Sequence, residues 1–255
     1  MTSRRRFLLR SASVGAGLAA SLSIRANPGD GTLPQPVDYV DHLNPEALKA
    51  IDRGLAYLAN SQNRDGSFGD TALFRGNLAV TSLAGLALMA GGHLPGRGAY
   101  GHAVSRALQF VLSKEQKSPP GFLNNSDGTY RQGPMYSHGF ATLFLAEVFG
   151  MVQDAAIQDR LRGTIERAIR VIVNSQNSEG GWRYEPVKMH ADSSVTICQI
   201  MALRAARNIG FFVPKEVADR LQEFADEARA QRAVANIGKQ KDKPYFRVKA
   251  LNRTE

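Results

Sequence analysis

A nine-residue phrase that occurs twice constrains the fold of this chain more than any other feature. Residues 60–68 read NSQNRDGSF, and residues 174–182 read NSQNSEGGW. Half of the offset between the two copies is about 57 residues, a length typical of a helical-hairpin repeat. A divergent third copy is expected midway, where KEQKSPPGFLNN offers Gln116, Gly121 and Phe122 in slightly shifted places.

The same period aligns the segments that flank the phrase. Three columns spaced by half of the offset are Ile51, Leu108 and Ile165; Leu86, Leu143 and Ile200; and Thr81, His138 and Val195. Because the register holds on both sides of the phrase, we interpret the chain as a series of repeats of about 57 residues each.

Each repeat is predicted to contain two helices. The segment before the phrase carries an amphipathic stripe, which in the last copy is formed by Leu161, Ile165, Ile169 and Ile172. The segment after it is apolar nearly all round, as in NLAVTSLAGLALMA, and such a helix is buried on most sides. We therefore expect an all-α fold in which half-exposed outer helices and buried inner helices stack around a shared core.

The ends of the chain differ from the repeats. Residues 1–26 have the basic start, weakly apolar middle and small final residue of a secretory signal, and SRRRFL fits the twin-arginine pattern. We expect export by that route to the periplasm or another extracytoplasmic location. After the signal we expect a linker (27–43), the repeat domain (44–228) and a basic, disordered or atypical tail (229–255).

Charge and cysteine content exclude several classes of protein. The net charge of +9 comes from the two ends, because residues 27–228 hold 19 basic and 21 acidic side chains. The repeat body therefore has no electrostatic footprint for nucleic acid. No segment after the signal is long and apolar enough to span a membrane. The single cysteine, Cys198, excludes an intrachain disulfide framework and a multi-cysteine metal site.

The repeated phrase resembles the QW motif of the terpenoid cyclase and protein prenyltransferase superfamily. The residues that carry the resemblance are Gln62, Gly66 and Phe68, then Gln176, Gly180, Gly181 and Trp182. Short exported bacterial proteins of the prenyltransferase and squalene oxidase repeat type are similar over about residues 44–212. The resemblance implies an α/α toroid, here an incomplete α/α barrel, with inner helices around an apolar cavity.

The chemistry of the phrase favours a structural role. A glutamine amide can tie backbone groups at a helix end to the next hairpin, an aromatic ring can cover that bond, and glycine permits the tight path. We therefore predict that these residues are staples between repeats.

Asp192 is the first candidate for chemistry. Squalene–hopene cyclases carry an aspartate-rich motif before an inner helix, and the resemblance aligns His190, Asp192 and Ser193 with its three acids. Only the middle acid, which is the proton donor in that family, is present here. An aspartate at a helix N-terminus is stabilised as the anion. A cap, a ligand-pocket role and a catalytic acid therefore remain open for Asp192.

Three further residues are candidates for a ligand pocket, namely Tyr136, His138 and His190. The alternative for His138 is a satisfied core histidine. Asp192 and Cys198 point to different helix faces, so no metal site is expected.

The resemblance favours a protein that binds an apolar or isoprenoid ligand, or a protein partner, without cyclase chemistry and without a cofactor. The alternatives are an active terpenoid cyclase or prenyl-group enzyme, and an exported carbohydrate-active enzyme. Because the fourth hairpin is incomplete, self-association through the open end of the repeats is also expected.

Overall fold

The computed structural model describes residues 44–71, 74–125 and 133–226. Helices predominate in these residues, so the all-α expectation is confirmed in this coarse form. The elements are α1 (Pro45–Asn60), α2 (Leu78–Ala90), α3 (Gly101–Ser113), β1 (Glu115–Lys117), β2 (Pro120–Leu123), α4 (Pro134–Val148), α5 (Ala155–Ser175) and α6 (Ser193–Asn208). Residues 215–226 are also helical. The predicted signal, linker and tail lie outside the described residues.

The chain divides into two units, Met1–Gly54 and Leu55–Glu255. In the first unit, the described residues begin with Asn44, whose side chain caps α1 by accepting the amide of Ala47 at 2.7 Å. Ile51, which the period aligns with the stripe residue Ile165, is 44% exposed. The end of α1, residues 55–60, and all later elements belong to the second unit.

Helix α4 is the centre of the second unit and contacts both α2 and α6. Every residue of α4 is buried except Tyr136, Phe140 and Glu147. Glycine permits both contacts, because a Cβ at Gly85 of α2 would lie 2.6 Å from the ring of Phe144. In the same way, a Cβ at Gly139 would lie 2.9 Å from a side chain of α6. The inner helices therefore pack side by side in the order α2, α4, α6.

Helix α5 confirms the predicted outer stripe. Asp154 caps it by accepting the amide of Ile157 at 3.0 Å. The four stripe residues are all buried, namely Leu161, Ile165, Ile169 and Ile172. Since α5 also contacts α4, α6 and β2, its apolar face lies against the row of inner helices.

A short antiparallel hairpin follows α3, where only a divergent copy of the phrase was expected. Strand β1 pairs with β2, and the turn between them contains Pro119. Gly121, the second residue of β2, has a φ of 87°, which only glycine adopts easily, and a Cβ there would lie 2.4 Å from the side chain of Arg167. Among the described residues, no helix is long and apolar enough to cross a membrane.

Candidate functional site

The two glutamines of the repeated phrase make the same contacts. Gln62 donates to the carbonyl of Gly66 and to that of Ala103, both at 2.9 Å. Gln176 donates to the carbonyl of Gly180 at 2.9 Å and to that of Val217 at 3.1 Å. The second acceptor lies 41 residues further along the chain in both cases. Each glutamine therefore ties its own turn to the next outer helix.

An arginine on that next helix completes each staple. Arg106 donates to the side-chain oxygen of Gln62 at 2.5 Å, and Arg220 donates to that of Gln176 at 2.9 Å. Gly180 lies so close to the last described helix that a Cβ would stand 2.0 Å from the carbonyl oxygen of Arg220. Its φ of 86° is again one that glycine tolerates.

The aromatic residues of the phrase are buried beside the inner helices. Phe68 and Trp182 are 2% and 1% exposed. The amide of Phe68 donates to the hydroxyl of Thr81 at 2.9 Å, and that of Trp182 donates to Thr196 at 3.1 Å. The indole nitrogen of Trp182 also donates to the carbonyl of Ile172 at 2.7 Å. These contacts support the staple interpretation of the phrase.

The middle repeat uses other residues than the sequence suggested. Gln116 does not reach the next outer helix, because it donates to the carbonyls of Lys114 and Asn124 beside it. Glu115 takes the place of the glutamine, since its carboxylate accepts from Arg167 at 2.5 and 2.9 Å. It also accepts from the hydroxyl of Thr164 at 2.8 Å. The hydrogen bond from arginine to a neutral glutamine is thus replaced by an ion pair between arginine and a carboxylate.

Leu123, and not Phe122, holds the position of the aromatic residue in the middle repeat. Its amide donates to Nδ1 of His138 at 3.1 Å, as Phe68 donates to Thr81. The matching residue in α6 is Thr196, which is one position beyond the Val195 that the period predicted. A strictly uniform period misses this shift, because Thr196 follows Trp182 by 14 residues, whereas Thr81 follows Phe68 by 13.

His138 lies in the core and not in an open pocket. Its ring is fully buried, and Nε2 donates to the carbonyl of Ala168 at 3.2 Å while Nδ1 accepts from Leu123. Burial lowers the pKa of His138 to about 4, and the bond to Ala168 opposes that shift only in part. The pocket hypothesis for His138 is therefore wrong in this structure, because both ring nitrogens are occupied and no face is accessible.

Asp192 caps α6, as one of the three open interpretations proposed. Its Oδ1 accepts the amides of Ser194 at 2.9 Å and Val195 at 3.2 Å. The hydroxyl of Ser194 donates to the same oxygen at 2.5 Å. These bonds hold the pKa of Asp192 below its ordinary value, with the hydroxyl of Ser194 as the largest cause. The side chain is therefore a stable anion.

Two tyrosines join Asp192 and Ser194, and we call these four residues the tyrosine–aspartate cluster. Tyr184 donates to Oδ2 of Asp192 at 3.1 Å, and the hydroxyl of Tyr136 contacts that of Ser194. The two aromatic rings lie 6.1 Å apart. The amide of Met135 donates to the carbonyl of Tyr184 at 2.9 Å and fixes the loop on the start of α4.

An exposed apolar stripe on α6 begins at this cluster, and one half-buried ring of α4 follows it. On α6, Ile197 and Met201 follow Ser194 at helical spacing and are 56% and 43% exposed. On α4, the half-buried Phe140 follows Tyr136 by one turn. Tyr136 touches Ser194, and both helices carry apolar side chains about one turn beyond the cluster. The surface is thus polar at the helix starts and apolar below them.

His190 faces a different, polar cavity of about 500 Å³. Its Nδ1 lies 2.9 Å from Glu179, which also accepts from Asn177 at 3.3 Å. Lys188 and Arg220 line the same cavity. The structure therefore separates His190 from Tyr136, which the sequence had grouped with it.

An apolar groove of about 400 Å³ lies beside Phe68. It is lined mainly by the last turns of α1 and by one face of α2, through Tyr57, Leu58, Val80, Leu83, Ala84 and Ala87. This groove belongs to the first repeat, so self-association through the open end at the incomplete fourth hairpin stays a prediction.

Cys198 is buried between α6 and α4, and burial raises the pKa of its thiol to about 11. Within residues 44–71, 74–125 and 133–226, no three histidine, cysteine or acidic side chains group closely enough to hold a metal ion.

Sequence reasoning missed Tyr184, Ser194 and the staple arginines. Tyr184 stands two residues after the phrase, which was a usable signal. The arginines resemble ordinary exposed charges on outer helices. No protein-family model matches the chain, and no curated protein matches it either.

Proposed function

We propose that the chain is an exported repeat protein of the terpenoid-cyclase type, which binds an apolar ligand of isoprenoid size without cyclase chemistry. The observation that carries this proposal is the exposed apolar stripe of α6, which begins at the tyrosine–aspartate cluster beside the half-buried Phe140 of α4. Ile197 and Met201 lie one turn apart on α6 and are 56% and 43% exposed, so together they form a continuous apolar strip on the surface. A polar group above an apolar surface suits a ligand with one polar end.

The recurring staples support the repeat architecture, in which hairpins stack as part of an α/α toroid. Gln62 and Arg106 are 44 residues apart, and so are Gln176 and Arg220. Such a contact, repeated at one separation, suits a stack in which each hairpin holds the next.

The state of Asp192 argues against the alternative of an active cyclase. A group that protonates an alkene must be a neutral acid in a dry pocket, whereas Asp192 is an anion that four hydrogen bonds stabilise. We therefore expect no cyclic product after incubation with squalene. A cyclic product that disappears in Asp192→Asn would establish the enzyme hypothesis instead.

Most glycoside hydrolases, which represent the carbohydrate-active alternative, use two carboxyl groups that flank a cleft. The polar cavity at His190 is lined by one carboxylate, Glu179, which is paired with the histidine. This arrangement does not favour glycoside chemistry.

Binding can be tested with a farnesyl chain that carries a dansyl fluorophore. We expect its fluorescence to rise with the wild-type protein, and the affinity to fall about tenfold in Ile197→Ser/Met201→Ser, because apolar contact is lost. Phe212→Ser is the matched control, since Phe212 is 83% exposed beyond the other end of α6. Equal affinities of all three proteins would contradict the proposed site.

Export rests on the sequence of residues 1–26 alone. We expect Arg4→Lys/Arg5→Lys to trap the precursor in the cytoplasm, as cell fractionation would show. Normal export of this variant would indicate a route other than the twin-arginine one.

A further inference from the structure

Every hydroxyl hydrogen of the tyrosine–aspartate cluster is used in a hydrogen bond within the cluster. A carboxylate only accepts, so the hydroxyl of Ser194 must donate to Asp192 at 2.5 Å. A serine has one hydroxyl hydrogen, and therefore Tyr136 must be the donor in its contact with Ser194. Tyr184 likewise donates to the second oxygen of Asp192.

The cluster therefore has no hydroxyl hydrogen left for a ligand. The groups that remain outward are lone pairs on the oxygens of Tyr136 and Tyr184 and on Oδ2 of Asp192. The hydrogen bond to Asp192 also raises the pKa of Tyr184, so its phenol stays protonated and remains the donor in that bond. A ligand that hydrogen-bonds here must be a donor.

The local charge favours a neutral donor over a cation. Arg183 lies over the ring of Tyr184, with its guanidinium carbon 4.8 Å from the ring centroid. The phenol of Tyr184 is exposed to this positive charge and to the negative charge of Asp192, which shift its pKa in opposite directions, so an ammonium group at the tyrosine oxygens would meet one charge of each sign. A carboxylate or phosphate would meet only acceptors at the hydroxyls.

We infer that the tyrosine–aspartate cluster is a head-group site that selects apolar ligands ending in a hydroxyl group. The hydroxyl hydrogen is shared between the oxygens of Tyr136 and Tyr184, and the apolar chain lies along Ile197 and Met201. This inference rests on the proposed function, because it names the polar end of the ligand whose apolar chain the stripe of α6 would hold.

A head-group series tests this selection. Farnesol, farnesyl methyl ether, farnesylamine and farnesoic acid carry the same chain and differ only at its end, and each competes with the dansyl-farnesyl probe. We expect farnesol to bind about threefold to tenfold more tightly than the methyl ether, which lacks a donor. The acid should bind most weakly.

Variants connect the selection to the named residues. Tyr136→Phe and Tyr184→Phe should each weaken farnesol binding while leaving the affinity of the methyl ether unchanged. Tyr57→Phe is the control, because Tyr57 is 69% exposed and lies at the groove beside Phe68. An unchanged ether affinity also shows that the variants are folded.

The possible outcomes separate the two proposals. Equal affinity for all four head groups would overturn the selection but leave the apolar site standing. Tightest binding of the amine or the acid would also overturn the assignment to a hydroxyl. Failure of the probe itself to bind would instead remove the proposed function.

Discussion

Gln176 and Arg220 are 44 residues apart in the chain, yet the guanidinium of Arg220 donates to the side-chain oxygen of Gln176 at 2.9 Å. The amide nitrogen of Gln176 meanwhile donates to the carbonyl of Val217, one turn earlier on the same helix. One buried side chain thus holds the last described helix at two points. This double contact explains why the phrase needs glutamine and not a shorter amide.

Replacing Gln176 should destabilise the fold. In Gln176→Ala, the carbonyls of Gly180 and Val217 lose their donor in a buried place, which costs about 1–3 kcal/mol of unfolding free energy. Urea unfolding followed by circular dichroism measures the loss. Gln222→Ala, on the exposed side of the last helix, is the control and should stay within about 0.5 kcal/mol of wild type. A Gln176 variant as stable as this control would show that the staple is dispensable.

The sequence predicted the outer stripe of α5 and both copies of the staple, because their periodicity and composition are local properties. It could not predict the staple arginines, since nothing near Arg106 or Arg220 in the chain shows which glutamine it meets. These pairs form only when two outer helices pack together, and their partners are 44 residues away.

The middle repeat was misread because one function can be performed by different residues. A glutamine oxygen and a carboxylate both accept from arginine, so Glu115 could replace the glutamine although Gln116 stood next to it. In the same way, His138 and the threonines of the other repeats all accept a backbone amide. A pattern of residue types does not reveal such equivalence, whereas the contacts do.

Trp182 and Phe68 should both be essential for stability. Truncation of either to alanine leaves a cavity in the core and should cost about 3–5 kcal/mol. Trp182→Phe is the control for the hydrogen bond to Ile172, because it keeps an aromatic ring and loses the indole donor. Since Trp182 is the only tryptophan, unfolding is best followed by circular dichroism. Variants that melt like wild type but no longer bind ligand would instead identify these rings as binding residues.

The ion pair between Glu115 and Arg167 should make the free energy of unfolding depend on pH. Burial alone would raise the pKa of Glu115, but the bonds from Arg167 and Thr164 outweigh it and leave the pKa lowered. A lowered folded-state pKa contributes stability above the unfolded value of about 4.5, and that contribution is lost as the pH falls through the folded value. Glu115→Gln should therefore be less stable than wild type at pH 7.

The difference between Glu115→Gln and wild type should shrink as the pH falls from 5 toward 3, as urea unfolding at each pH would reveal. Asp219→Asn is the control, because Asp219 forms an exposed pair with Lys215 and should contribute little. A difference that stays constant with pH would mean that the carboxylate is not charged in its pair with Arg167.

His138 should give the wild-type protein a second, separate loss of stability on acidification. The neutral ring accepts the amide of Leu123, and burial lowers the folded pKa to about 4 from the ordinary value of 6.5. The contribution of the neutral ring is therefore complete above pH 6.5 and declines steadily as the pH falls toward 4, because the unfolded state binds the proton first. In His138→Gln, the side chain can accept from Leu123 and donate to Ala168 without titrating. We expect this variant to have a flatter profile of unfolding free energy between pH 6.5 and 4, whatever its stability at pH 7. Parallel profiles of the two proteins would show that His138 is not held neutral in the core.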